Sequence, residues 1–225
     1  MDSALWIPLL LSLKLAVSTV VILLLFGLPL AWQLAKYQGR LKPLFEALVA
    51  LPLVMPPTVL GYYLLVAFAP DTALGGLWTS LTGQQLAFSF SGILLGSIFY
   101  SMPFVVQPLL NSFQQVGLHY DKVVSSLGVS RTKRFVFFIL PLCKPALITA
   151  TTLGFAHTLG EFGLILMIGG NIPGETKVLS IELYNQVELM NYGQANTIAL
   201  VLIGVSLLSL ILLYRSNHRV GMFKL

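Results

Sequence analysis

Residues 5–35 form one apolar run interrupted by a single charge, Lys14. A helix crosses the roughly 30 Å hydrocarbon layer of a bilayer in about 20 apolar residues, and this run exceeds that length. Four further stretches also reach it: Leu44 to Ala69, Leu86 to Leu110, Phe135 to Thr158 with an apolar continuation to Ile168, and Ala195 to Tyr214. In lipid the backbone polar groups must be satisfied within the segment, so such runs read as helices. Composition agrees, because only 9% of the 225 residues are charged, against about a quarter in a soluble domain. The expected fold is an all-α integral membrane protein, one domain over residues 1–225 with a core at 5–214 and about five transmembrane helices.

Charge placement sets the expected orientation. Lys36, Arg40 and Lys42 follow the first run, Lys122, Arg131, Lys133 and Arg134 lie between the third and fourth, and Arg215, Arg219 and Lys224 follow the fifth. The alternate connections hold almost no Lys or Arg: none in Met1 to Ala4, none from Ala69 to Ala87, and only Lys177 after the fourth run. The positive-inside rule then places the N-terminus outside and the C-terminus in the cytoplasm. Asp2 stands where a signal peptide carries basic residues, so the first run reads as a retained span. Asp71, Glu161, Glu175, Glu182 and Glu188 fall on or near the outer face, as solvated loop surface or as a docking face for a partner of complementary charge. The segment from Val178 to Tyr192 is a candidate to dip into the membrane.

Several irregularities lie at membrane depth. Pro52, Pro56 and Pro57 interrupt the second run, and each proline removes a backbone donor and clashes with the preceding turn. A break of this kind persists in lipid only where protein or a wet cavity satisfies the freed carbonyls, and broken helices often line transport routes; a packing kink is the alternative. Gly92 and Gly96 form a GxxxG suited to close helix contact, with a further kink expected at Pro103. Thr149, Thr151, Thr152, His157 and Thr158 make a polar stripe that suits either a wet pathway or hydrogen bonds to neighbouring helices.

Other features exclude function classes. No acidic or basic residue sits at the centre of the second, third or fifth run, where a proton-driven carrier would need one. The chain has no GxxxxGK[ST] phosphate loop and no nucleophile paired with a base. Its one cysteine, Cys143, forms no intrachain disulfide, and His119, His157 and His218 have no metal-ligand spacing. Uphill movement of a solute would therefore draw its energy from elsewhere.

The longest basic connection, Gly117 to Arg134, reads as a helix, a stop at Gly128 suited to a left-handed C′ position, and a second helix with Ser130 as N-cap. Between two membrane spans a DNA-reading helix-turn-helix fits poorly. Two short helices lying across the inner face fit better, with Tyr120, Val123, Val124 and Leu127 as an apolar patch rimmed by Lys122 and the Arg131, Lys133 and Arg134 cluster. Here the chain resembles the permease subunits of binding-protein-dependent ABC importers of the type I fold. Their signature runs Glu-Ala-Ala, three residues, Gly, nine residues, Ile-x-Leu-Pro. Gly128 followed by nine residues and Phe138-Ile139-Leu140-Pro141 matches its second half, whereas Lys122, Val123 and Val124 stand at the Glu-Ala-Ala positions. Three further segments are similar to molybdate-transporting members of the family. They are Leu51 to Pro57 leading to Gly61-Tyr62, then Leu159-Gly160-Glu161-Phe162-Gly163, then Asn171 to Thr176; tungstate and sulfate permeases share some of them.

The resemblance implies a non-enzymatic permease of the bacterial inner membrane. It would work as a homodimer over two ATP-binding subunits, with an external oxyanion-binding protein delivering the cargo and no nucleic acid involved. ATP and Mg would sit on the partner subunits, and this chain would bind no cofactor or metal. Expected coupling residues are Tyr120, Lys122, Val123, Val124, Leu127, Gly128, Arg131 and Pro141. Expected pathway or gate residues are Met55, Pro56, Thr58, Tyr62, Tyr100, Met102, Glu161 and Phe162. The competing readings are a tungstate or sulfate permease, and an ATP-independent channel or carrier.

Overall fold

The computed structural model describes the backbone of residues 3–221 and the side chains of residues 5–215. Met1, Asp2 and Lys224 lie outside the described residues, as do the side chains of His218 and Arg219. Every regular element described is helical.

Three helices are long and apolar enough to cross a membrane unbroken: α1 (Ser3–Lys36), α5 (Phe90–Ser112) with its extension, and α12 (Tyr192–Gly221). Two bent helix pairs also reach the length and apolarity of a span when each pair is taken together. The first comprises α2 (Lys42–Ala50), a 3-10 turn at Leu51–Leu53 and α3 (Pro57–Ala67), bent by 104°. The second joins α7 (Arg131–Arg134), a π turn at Phe135–Ile139 and α8 (Leu140–Leu142) to α9 (Lys144–Gly160), bent by 75°. Counting each pair as one span gives the five crossings expected.

The second run is thus broken far more sharply than a kink. Pro56 and Pro57 supply no N–H, so neither can continue a helix from α2, and Pro57 instead opens α3 at the position where a missing donor costs nothing. The fourth run departs from expectation in three ways. It starts at Arg131, it turns at Cys143, where Lys144-Pro145 restarts the helix, and it ends at Gly160 instead of continuing to Ile168. The apolar continuation forms a separate short helix, α10 (Gly163–Gly169). Pro103 does not end a helix: α5 continues through Pro103 and Pro108.

Helix α5 is the axis of the bundle, with half of its most apolar window buried against 11% for α12. It packs against α1 and α9, and α10 fills the space between α5 and α3. Glycines permit these approaches. A Cβ at Gly154 would lie 2.6 Å from Val105, one at Gly96 would strike Ile168 and Leu164, and one at Gly61 would lie 2.8 Å from the Met167 Cβ. Gly96 therefore does serve helix packing, whereas Gly92 closes on the Leu86 carbonyl at the start of its own helix.

One core cluster, including Leu34, Val106, Leu109, Phe113 and Ile139, lies towards the Lys36 end of α1. Another, including Leu15, Phe68, Ile93, Leu164, Ile165 and Ile168, holds α3, α5 and α10 together, with Trp78 of α4 (Ala73–Thr82) packed against it. Near the other end of α1, Leu5 joins Leu179 and Ile198. These bring in α11 (Leu179–Glu188) and the start of α12.

Candidate functional site

The basic ends of the helices converge. Lys36, the last residue of α1, places its Nζ 2.8 Å from Asp121 Oδ2, and Arg134 Nε donates to Asp121 Oδ1 at 2.9 Å. Arg134 Nη1 also donates to the Val129 carbonyl at 3.3 Å. On the α2 side, Gln114 Nε2 donates to Glu46 Oε1 at 3.1 Å. Lys36, Lys42, Asp121 and Arg134 therefore share one end of the bundle. Ser12 accepts from the Leu179 N–H at 2.7 Å nearer the other.

The loop between α5 and α7 is built differently from two short helices lying across a membrane face. Helix α5 passes through a π turn at Phe113–Gly117 into α6 (Leu118–Ser125), giving 36 continuous helical residues from Phe90. At 1.5 Å per residue that is about 54 Å, well beyond the hydrocarbon thickness, so the end projects from the bilayer. Gly128 sits at φ +74° with nothing within 4 Å of a built Cβ, and ends the helix as expected. Ser130 occupies the N-cap position with extended backbone, but its side chain makes no capping bond.

Tyr120, Val123 and Leu127 are 42%, 51% and 73% exposed. Lys122, Gly128, Arg131, Lys133 and Pro141 are exposed as well. Val124 is the exception: at 7% exposure it turns into the bundle and leaves the expected patch. Asp121 was not among the expected residues. Its one sequence signal is that it is the only acid in a loop with four basic residues.

The expected pathway residues fall into two neighbourhoods. Met55, Pro56 and Thr58 surround the break before α3, and Glu161 and Phe162 form the break before α10. The two breaks touch: a Cβ at Gly163 would lie 3.3 Å from Pro57 Cβ and 3.9 Å from Thr58 Cγ2. Tyr62 is exposed one turn further along α3, edge-on to Tyr63. Tyr100 and Phe162 pack against the same cluster as Leu164 and Ile165, whereas Met102 packs against the other cluster and stands apart.

Glu161 is not solvated outer surface. It is 7% exposed, its Oε1 accepts from the Leu164 N–H at 2.9 Å, and its carbonyl accepts from Ser180 Oγ at 2.6 Å. A carboxylate serving the free donors at the start of a helix is a cap, so Glu161 sets the start of α10. The Asn171 to Thr176 segment also has a structural basis. The buried Thr176 hydroxyl donates to the Gly169 carbonyl at 2.7 Å and accepts from the Ile172 N–H at 2.9 Å, closing the turn after α10.

The polar stripe on α9 divides between carbonyls of its own helix and one link to α5. Thr149 and Thr151 bond carbonyls of their own helix. Ser101 on α5 lies 2.9 Å from both His157 Nδ1 and Thr158 Oγ1, and Thr158 donates to the Gly154 carbonyl. Each hydroxyl has one proton, so the arrangement that satisfies every contact runs from His157 Nδ1–H to Ser101 to Thr158 to Gly154. Phe104 stacks on the imidazole, with centroids 3.9 Å apart.

A bundle of apolar helices long enough to cross a membrane, one of them carried on into a basic loop, defines an integral membrane protein. A family model described as the inner membrane component of binding-protein-dependent transport systems matches residues 23–221, and the chain belongs to that family of ABC importer permeases. It is 48% identical over 208 residues to the molybdenum transport system permease protein ModB of Azotobacter vinelandii, covering 92% of each chain. It is 32% identical over 196 residues to the sulfate transport system permease protein CysT of Escherichia coli (strain K12), covering 87% of this chain and 70% of that relative. In fold it is similar to the inward-facing MetNI methionine ABC transporter, with a TM-score of 0.75, 15% identity, and coverage of 98% of this chain and 99% of that one. The expected all-helical membrane fold, family and inner-membrane location are borne out.

Proposed function

We propose that this chain is the membrane subunit of an ATP-driven importer that carries molybdate into the cytoplasm by alternating access. The observation that carries the cargo is the 48% identity to a molybdenum permease along 92% of both chains. The sulfate permease relative favours sulfate as the second reading. In this reading two copies of the chain sit over two ATP-hydrolysing subunits, which hold the ATP and Mg. An external binding protein delivers the oxyanion.

The loop from Gly117 to Arg134 faces the cytoplasm and receives the motor. The positive-inside rule supports that orientation, and so does the clustering of the basic helix ends at one side of the bundle. Exposed Tyr120, Val123 and Leu127 offer an apolar contact, with Lys122 and Arg131 beside it and Gly128 setting the turn. Pro141 stands two residues before the elbow at Cys143, where a push on the loop becomes a rotation of α9. The touching breaks at Met55–Pro57 and Glu161–Gly163 are the gate region, with Thr58, Tyr62, Tyr100 and Phe162 along it. Met102, also on α5, packs against the cluster towards the Lys36 end instead and is a weaker member of the set.

A pathway poor in fixed positive charge suits an anion that must leave as readily as it enters. Tight binding then belongs to the delivery protein. The test is uptake by proteoliposomes holding the complete importer, with labelled molybdate competed by unlabelled molybdate, tungstate and sulfate. Molybdate and tungstate displacing the label at far lower concentration than sulfate fits the proposal. Sulfate displacing it equally well would replace molybdate with the second reading.

A further inference from the structure

We propose that α1 is the element that receives the motion of the coupling loop, through a clasp of Lys36, Asp121 and Arg134 seated on Trp32. The inference rests on the reading of residues 117–134 as the motor contact and adds the route by which the motion enters the bundle. Asp121 uses both carboxylate oxygens, one on Lys36 and one on Arg134. One side chain therefore ties together three elements: the end of α1, helix α6 before Gly128, and α7 after it. Its exposure is 16%, and that of Arg134 is 14%. Water screens these charges less than it would a pair on an open surface. Lys36 is also the last residue of α1, where a cation complements the helix dipole, and its Nζ lies 4.1 Å over the Trp32 ring.

Trp32 is a pivot of a particular kind. Its ring meets Phe113 edge-on at 5.2 Å and Phe135 at 5.3 Å, and those two rings are 5.8 Å apart. Phe113 opens the π turn before the loop, and Phe135 opens the π turn after it. Cβ atoms built at Gly117 come within 3.2 Å of both Trp32 and Ile139, so the two π turns and α1 are in close contact. π turns are rare and concentrate at functional sites. The loop thus hangs between two such turns that share one aromatic support on α1.

From there α1 runs unbroken for 34 residues to the other end of the bundle. Ser12 accepts the Leu179 N–H there, and the adjacent Ser180 hydroxyl holds the Glu161 carbonyl beside the break before α10. A shift of α1 along its axis would reach that break through two hydrogen bonds.

The test uses the complete importer in proteoliposomes and measures oxyanion moved per ATP hydrolysed, together with co-purification of the ATPase subunits. Lys36→Met cuts the link to α1 while Arg134 still holds Asp121. Its expected outcome is normal co-purification, ATP hydrolysis near the parent rate, and transport per ATP reduced by about tenfold, an ordinary size for a coupling between sites. Lys36→Arg should restore the ratio. Unchanged transport per ATP in Lys36→Met would overturn the proposal. So would transport and hydrolysis falling in parallel, or loss of the ATPase subunits, since each marks a merely structural residue. Leu127→Asp in the parent chain tests the underlying reading separately. ATPase subunits that still co-purify with that variant would remove the motor contact from this loop altogether.

Discussion

Gly61 and Gly128 are indispensable for different reasons, which separate experimentally. At Gly61 the backbone is ordinary and the space is absent, because a Cβ would lie 2.8 Å from Met167. Overpacking of that kind costs about 1–3 kcal/mol, so Gly61→Val should lower the denaturation midpoint of the purified protein. At Gly128 the space is open and the backbone is left-handed, which costs an L-residue roughly 1–2 kcal/mol. Gly128→Val should therefore weaken the loop and the recovery of ATPase subunits, while Gly128→Asn, which tolerates this conformation, should retain most of both. Equal effects of Val and Asn would show that strain is not the reason for this glycine. The left-handed stop at Gly128 was legible because the mechanism is local. The roles of Glu161 and Asp121 were not, because each depends on a partner from a fold that the sequence does not display: Ser180 of α11 for one, and α1 and α7 for the other.

Among the elements, α5 and α9 are joined by the chain from His157 through Ser101 and Thr158 to Gly154. Ser101→Ala removes the acceptor of the imidazole N–H and the donor to the Thr158 oxygen, which keeps its own bond to Gly154. Leaving a buried polar group unpaired costs about 1–3 kcal/mol, so the variant should unfold at lower denaturant concentration; an unchanged midpoint would exclude this network as a tie between the helices. The break before α3 could be read from three prolines in a row of eight residues. The elbow at Cys143 could have been read from Lys144-Pro145 by the same logic, but the surrounding apolar run hid it. Pro103 and Pro108 show the reverse. Both lie inside α5 without breaking it, since the neighbouring helices α1 and α9 hold it in place. Proline density signals a break more reliably than proline presence.

At the scale of the whole molecule, five apolar runs and alternating basic connections made the membrane fold legible, because lipid leaves a chain few ways to satisfy its backbone. The meeting of the breaks at Pro57 and Gly163 was not legible, since it joins segments more than a hundred residues apart. Orientation has a direct check. Cys143 is buried, so a cysteine placed at Leu127 or at Ser80 can be labelled over a quiet background. An impermeant thiol reagent added to intact cells should modify the Ser80 site and spare the Leu127 site, and the opposite pattern would invert the topology. In the proposed function the chain is a gated conduit driven from outside itself. The most direct measurement of this is molybdate accumulation in proteoliposomes holding the chain alone or with its ATPase subunits, each with the binding protein present and with or without ATP. Accumulation is expected only when the ATPase subunits and ATP are both present. Accumulation by the chain alone would contradict the proposal.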